Sequence, residues 1–374
     1  MKHSGNSREF KVTPEKAVQF TKITVFLTCA WPPSNESRLF KLFIYSSVFL
    51  SFALFLPLVV SIIEYHDNFF IVMKSVIFIC GITNYVTKVI TVRIYRKEFQ
   101  QLGSAVDDFI DKASVSEKQV LQKYIDKCWK FQLFMTCSYY MTTTGIIIGP
   151  LVLPQKFPTD AVYPFPVDNS IISLIVYLHQ CIVGYQCSAG MALDCQAALF
   201  IWYLSAKFEL LISETKNVVT YNELRHYIKK HQDLLTYAEE LIRPTRVMAF
   251  STVSVTKIGM IFGGVFLISD EPLAVKIQFG IMVMSTTVNI YVCTWAADYL
   301  ITISSSTLSD EIFSTTWMHG PKLRKLWLIV LHRAQKPVVI KIPGLLKTLS
   351  NEYYSAFLSA AFSCFATIRV VVNS

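Results

Sequence analysis

The sequence predicts an all-α membrane protein with seven transmembrane helices, a cytoplasmic N-terminus, an extracellular C-terminus and a cytoplasmic helical anchor region. Three observations predict it. Of 374 residues, 53% are hydrophobic and only 16% charged, against roughly 25% charged in soluble domains. Seven mostly apolar runs reach the roughly 20 residues that cross a hydrocarbon core. Positive charge gathers in alternate connections between those runs. A mean hydropathy of +0.43, with 27 Phe and 18 Tyr, excludes a soluble globular chain. With 13 Gly, 14 Pro and nine scattered Cys, collagen-like repeats and a small disulfide scaffold are excluded too.

The runs are Leu42 to Ile63, Phe69 to Val92, Phe131 to Leu153, Ile171 to about Tyr203, Val247 to Ser269, Val275 to Ala297 and Tyr353 to Val372. Lys74 and Lys88 lie near the two ends of the second, where each is expected to snorkel to an interface. The fourth exceeds what a bilayer needs and is expected to project beyond it. Residues 1–41 are polar and basic, without the apolar core and cleavage site of a signal peptide, and form a cytoplasmic segment. The expected organisation is then helices 1–4 over 42–203, a cytoplasmic connection with an amphipathic helix over 204–246, helices 5–6 over 247–297, a cytoplasmic anchor over 298–350, and the last helix over 351–374.

Orientation follows from the cations. The N-terminal segment and the connections after the second, fourth and sixth runs hold 29 of the 35 Lys and Arg, which places them in the cytoplasm. The opposite side holds Lys156, Lys276 and Arg369 with Glu64, Asp67, Asp160, Asp168, Asp270 and Glu271. Seven spans with the N-terminus inside are inverted relative to a G-protein-coupled receptor. The sequon Asn35-Glu36-Ser37 falls on the cytoplasmic side and is expected to be unused. The cysteines have no zinc-ligand spacing and are expected to be free thiols; no cofactor, metal or nucleic-acid partner is expected. Inverted repeats and broken helices, the marks of a secondary transporter, are not evident, and neither are the paired ionisable groups at depth that an intramembrane enzyme needs.

Several smaller signals bear on function. Pro154, Pro158, Pro164 and Pro166 stiffen the one long outer connection, Pro154 to Ser170, into an extended cover. Between Tyr221 and Arg243, Leu224, Ile228, Leu234, Leu235, Ala238 and Leu241 recur at helical spacing; this helix either lies on the membrane or packs on extensions of the spans. Gly145 with Gly149, and Gly259 with Gly263, form GxxxG pairs suited to close helix contact. Lys257 sits mid-span without a carboxylate at matching depth, facing either a water-filled cavity or an interface. Asp194, in the inner part of the fourth run, is read as ordering helix ends. In the last run Ser355, Ser359, Ser363 and Thr367 recur every four residues, a hydroxyl stripe suited either to tight packing or to lining a pore when copies gather around an axis.

The C-terminal quarter resembles the insect odorant receptor family. The resemblance rests on Trp317, then Arg324-Lys325-Leu326, Arg333-Ala334-Gln335-Lys336-Pro337, Gly344, Ser363-Cys364-Phe365 and Arg369, in that order and spacing. Upstream, Tyr163-Pro164 before Asp168, Asp194, and His231 with Leu234-Leu235 are similar to the same family. The resemblance implies a subunit of a tetrameric ligand-gated, non-selective cation channel and not an enzyme, working with a shared co-receptor in the plasma membrane of olfactory sensory neurons. It implies a pore lined by the last helix, here Ser355, Ser359, Ser363, Thr367, Val370 and Val371. Thr367 matches the constriction, where family members often carry an aliphatic residue, and Val370 lies one turn further. Without a long insertion between Ala206 and Arg246, the chain resembles a tuning subunit, with weak or no channel activity alone. The implied pocket for small apolar volatile ligands lies in the outer half of the bundle, lined by Ser75, Phe78, Ile79, Ile82, Tyr139, Thr143, Ile146, Ile147, Tyr177, Cys181, Tyr185, Met282, Val283 and Thr286. A gustatory-receptor-type homomeric channel shares the inverted plan, but the Arg333 to Pro337 run resembles the odorant branch.

Overall fold

The computed structural model describes residues 12–33, 35–152 and 155–373, with side chains up to residue 369. The helices in chain order are α1 (Pro14–Thr24), α2 (Arg38–Glu64), α3 (Phe69–Ile94), α4 (Arg96–Lys112), α5 (Val115–Val152), α6 (Ser170–Glu214), α7 (Tyr221–Ile268), α8 (Leu273–Thr302), α9 (Leu308–Thr316), α10 (Pro321–Ala334) and α11 (Asn351–Asn373). Each apolar run lies in one of α2, α3, α5, α6, α7, α8 and α11, with Ser269, the last residue of the fifth run, at the C-cap of α7; Leu153, the last residue of the third run, and Pro154 lie outside the described residues. Of the described helices, α2, α3, α6, α7 and α8 are long and apolar enough to cross a membrane. In α5 the hydroxyls of Ser138, Tyr139, Tyr140 and Thr142 to Thr144 dilute the apolar run.

Local chemistry starts these helices where they start. Ser37 and Asn68 accept from the amides of Phe40 and Ile71 at the heads of α2 and α3, and Asn169 accepts from that of Ile171 at the head of α6. Thr220 and Glu223 form a reciprocal capping box on α7. From that cap α7 continues unbroken for 48 residues, through Pro244. The amphipathic stretch and the fifth run are therefore one helix, where a separate cytoplasmic helix was expected. The stretch packs on the bundle: Leu224, Tyr227, Ala238 and Leu241 are buried in one cluster with Phe208 and Leu211 of α6 and Trp327 of α10.

That cluster is the largest core, built on the second half of α6 and closed by α8, α9 and α10. A π-helical turn, Ile303–Thr307, joins α8 to α9. Its Ser304 hydroxyl accepts from the Val338 amide at 3.1 Å, tying in the segment that leads to α11. In that segment Gly344, at φ 78°, turns the chain so that Ile342 and Leu346 pair; a left-handed backbone suits glycine because a β-carbon would clash. At the other end of the bundle, residues 155–169 fold back over α2, α3 and α6. The Val162 amide donates to the Pro57 carbonyl at 3.1 Å, Lys74 pairs with Asp160 at 3.4 Å, and Phe157 and Pro158 are buried.

The GxxxG expectation needs correcting. A β-carbon at Gly145 or Gly259 would meet nothing within 4 Å, whereas one at Gly263 would stand 2.6 Å from Val283 and one at Gly264 3.0 Å from Phe365. On α7 close approach therefore falls on the adjacent pair Gly263 and Gly264, which seat α8 and α11 on its two sides, while in the first pair Gly149 meets only the Gln155 side chain, at 2.6 Å.

Candidate functional site

Two adjoining cavities open between α3, α5, α6, α7 and α8. The first, about 120 Å³, is lined by Tyr139 and Thr143 of α5, Ser188 and Met191 of α6, Thr256 and Gly259 of α7, and Met282 and Thr286 of α8. The second, about 150 Å³, lies towards α2 and the 155–169 segment, against Leu54, Phe78, Ile82, Ile146, Ile147 and Gln180. Ile77, Gly81, Thr143, Cys187 and Met282 border both. The walls are mainly aliphatic, aromatic and sulfur-bearing, the usual composition of a site for an uncharged small molecule.

Two residues of the first cavity's lining, Tyr139 and Thr256, carry buried hydroxyls without a hydrogen-bond partner among the described residues. A buried hydroxyl left unbonded costs free energy, so a ligand able to hydrogen-bond there gains an interaction already desolvated. The Thr143 hydroxyl, by contrast, is engaged by Ser188 at 2.6 Å.

The expected pocket residues divide. Phe78, Ile82, Tyr139, Thr143, Ile146, Ile147, Met282 and Thr286 line the cavities. Ser75, Ile79, Tyr177, Cys181, Tyr185 and Val283 lie outside both linings. Ser75 meets the Ser61 hydroxyl at 3.3 Å, Tyr177 donates to the Ile147 carbonyl at 2.8 Å, the Tyr185 hydroxyl meets Thr144, and Val283 packs at Gly263; Ile79 packs in the cluster around α2 and Cys181 is half-buried. The sequence reading missed the contribution of α7. Its signal was Gly259, which opens space instead of packing.

Beside Met191 lies a buried polar centre. Lys88 of α3 is fully buried, its Nζ 2.8 Å from Asp194 Oδ1 and 2.9 Å from the Gly190 carbonyl. Asp194 also accepts from Thr252 of α7 at 3.0 and 3.1 Å and from Asn289 of α8 at 2.8 Å. This corrects two expectations: Lys88 does not snorkel, and ionisable groups are paired in the helix bundle. One turn away Asn84 donates to Met191 Sδ at 3.1 Å and accepts from Ser251 at 2.8 Å, so the centre shares a wall with the cavity. A further space of about 20 Å³ against Asp194 and Thr252 reaches Leu349, just before α11.

Helix α11 packs on α7 and α8 through one face. Phe357 and Ala361 are buried with Met260 and Ile290, and Phe365 covers Gly264. Ser355, Ser359, Ser363 and Thr367 are all exposed on the other face. The hydroxyls of Ser355, Ser363 and Thr367 donate to the carbonyls four residues earlier, which satisfies them without a neighbouring helix. The side chains of Val370 and Val371 lie outside the described residues. Half-buried Lys257 falls between Val253 and Met260, which pack with α11, and so sits on the α11 side of α7.

At the α9 and α10 end, Arg324 stacks on Trp317 at 5.2 Å, and the ring of buried Trp327 lies 5.1 Å from that of Tyr227. His231 is buried beside Phe208; burial, and then the Arg333 charge, push its pKa down to about 4. The nine cysteines are free.

Comparison with known proteins bears on this arrangement. The model of the family described as 7tm Odorant receptor matches residues 68–362. Odorant receptor Or2 of Anopheles gambiae is 25% identical over 154 residues, and the match spans 40% of each chain, well under two thirds of that relative's length. The fold is similar to that of the insect olfactory receptor OR5 from Machilis hrabei in complex with eugenol, with a TM-score of 0.79 at 11% identity over 96% of this chain and 98% of that one. The same receptor in a second structure gives a TM-score of 0.77 at 11% identity, over 95% and 97%.

Proposed function

Starting from the 7tm odorant receptor family, to which this chain belongs, we propose that it is a tuning subunit of a ligand-gated, non-selective cation channel. In this reading seven helices (α2, α3, α5, α6, α7, α8 and α11) cross the plasma membrane of an olfactory sensory neuron, with the N-terminus in the cytoplasm and the C-terminus outside. The chain assembles with co-receptor subunits as a heterotetramer, and α9, α10 and the first half of α7 belong to the cytoplasmic anchor between subunits. Small apolar volatile molecules occupy the two cavities in the outer half of the bundle. Cations pass along Ser355, Ser359, Ser363, Thr367, Val370 and Val371, with the constriction at Thr367 or one turn beyond.

The observation that carries this reading is the pair of adjoining apolar cavities with the free hydroxyls of Tyr139 and Thr256. Burial of apolar ligand surface supplies about 25 cal/mol per Å², and one hydrogen bond supplies selectivity among similar shapes. Opening then follows from differential affinity: a ligand that binds the open state better by about 1.4 kcal/mol shifts the equilibrium tenfold. Met282 and Thr286 on α8, and Gly259 on α7, stand on the two helices that hold α11, so a change in cavity shape reaches the pore helix through its own supports.

The test is whole-cell current in cells expressing the chain with an insect co-receptor and G-protein signalling blocked, during application of an odorant panel. Fast cation current supports the reading; a response abolished by the block contradicts it.

A further inference from the structure

A further large apolar hollow lies outside the helix core. It is a groove of about 560 Å³ on the outside of the bundle, between Ala53, Pro57 and Val60 of α2, Tyr163 and Phe165 of the 155–169 segment, and Ile175 and His179 of α6. Leu56 and Ile175 on its rim are strongly exposed and apolar, as suits a lipid-facing surface. His179, in its lining, is engaged with the Leu50 carbonyl at 2.9 Å, and the Tyr163 hydroxyl with Gln180 at 3.1 Å.

Neighbouring residues line this groove and the second interior cavity. On α2, Ala53 borders the groove and Leu54 the second cavity; on α6, His179 borders the groove and Gln180 the cavity; in the linking segment, Tyr163 borders the groove and Thr159 the cavity. Gln180 is buried and closes the wall with two hydrogen bonds. Its Oε1 accepts from the Thr159 amide at 3.0 Å and its Nε2 donates to the Tyr163 hydroxyl at 3.1 Å. The wall is thus a latch of two hydrogen bonds set between two apolar spaces. Rotation of one glutamine side chain breaks it, and one wall of the passage is a segment without helical structure.

We propose that the groove is the entry site for the ligand: an uncharged apolar molecule dissolved in the outer leaflet docks there and passes between Gln180 and Tyr163 into the second cavity. The proposal rests on the receptor reading above. Apolar molecules concentrate in the bilayer, and the groove carries no free charge to repel them, so charged compounds are excluded at this step and not at the cavity.

A passage alters the rate of arrival and departure equally and leaves equilibrium untouched, which makes the test specific. The chain is expressed with a co-receptor, and the probe is the uncharged panel compound that activates the wild-type channel most strongly. Onset is measured where its rate still rises with dose, followed by washout. Ala53→Trp, filling the groove, is expected to slow onset and washout together by about tenfold or more with half-maximal dose unchanged. Tyr163→Phe, which removes one latch bond without lining the cavity, is expected to speed both by roughly fivefold, the worth of one net hydrogen bond. Phe49→Trp, exposed and outside the groove, is the control. Rates equal to the control in both variants overturn the proposal, as does a shift in half-maximal dose with unchanged washout, which would make the groove a lipid or modulator site. Absence of any odorant-evoked current in the wild type would count against the receptor reading instead.

Discussion

Lys88 Nζ lies 2.8 Å from Asp194 Oδ1, with the two side chains 0% and 4% exposed. A charge so placed is tolerable only when paired and hydrogen-bonded, and the Gly190 carbonyl, Thr252 and Asn289 complete the set. Four helices meet at this pair, one turn from Asn84, which bonds Met191 in the lining of the first cavity.

Breaking the pair is therefore costly. Asp194→Ala strands a buried ammonium and is expected to destabilise the protein by about 3–5 kcal/mol, whereas Lys88→Met with Asp194→Leu is expected to recover most of that loss. Thermal unfolding of the purified single and double variants checks it. Equal loss in the double variant would show that the two residues do not act as a pair.

The free hydroxyls predict selectivity. Tyr139→Phe and Thr256→Val are expected to raise the half-maximal dose of an activator carrying a hydroxyl or carbonyl by about 3- to 10-fold, and to leave a hydrocarbon activator unchanged. Gly259→Leu, which fills open space in the cavity, is expected to remove the response while the chain still reaches the surface. Dose-response curves beside surface labelling read both effects.

Stability is expected to fall in acid through His231. Burial, and then the Arg333 charge, lower its pKa in the fold to about 4 from an ordinary 6.5. Below 6.5 the unfolded chain binds a proton that the folded chain refuses, so the contribution is complete above about pH 6.5 and is lost as pH falls towards 4. His231→Gln is expected to flatten this part of the stability profile of the detergent-solubilised protein. An unchanged slope would assign the acid sensitivity elsewhere.

The two faces of α11 predict a labelling pattern. In an open channel, cysteines at Ser359, Ser363 and Thr367 are expected to react with a charged methanethiosulfonate reagent and reduce current, while those at buried Phe357 and Ala361 are not. Half-buried native Cys364 is replaced first to remove background.

Much of the helical plan was legible because a membrane span is a local property: some twenty apolar residues in a row announce it. The hydroxyl stripe of α11 was legible for the same reason, since one helix carries it. Lys88 was misread because its partner Asp194 lies 106 residues away on another helix, and near the end of an apolar run a lysine reads as an interface residue. The unbroken α7 was hidden because charge, and not backbone geometry, marked a boundary there. Tyr177 and Tyr185 were assigned to the pocket by the resemblance and their depth in the span; which way a side chain turns depends on carbonyls and hydroxyls of the neighbouring helix, such as the Ile147 carbonyl that holds Tyr177.

The tuning-subunit assignment is tested most directly by the whole-cell current of this chain expressed with and without an insect co-receptor, under G-protein block, across an odorant panel. Rapid odorant-evoked cation current is expected with both chains, and little or none with this chain alone. Robust current from this chain alone would contradict the tuning-subunit assignment, and a response that vanishes under the block would contradict the channel itself.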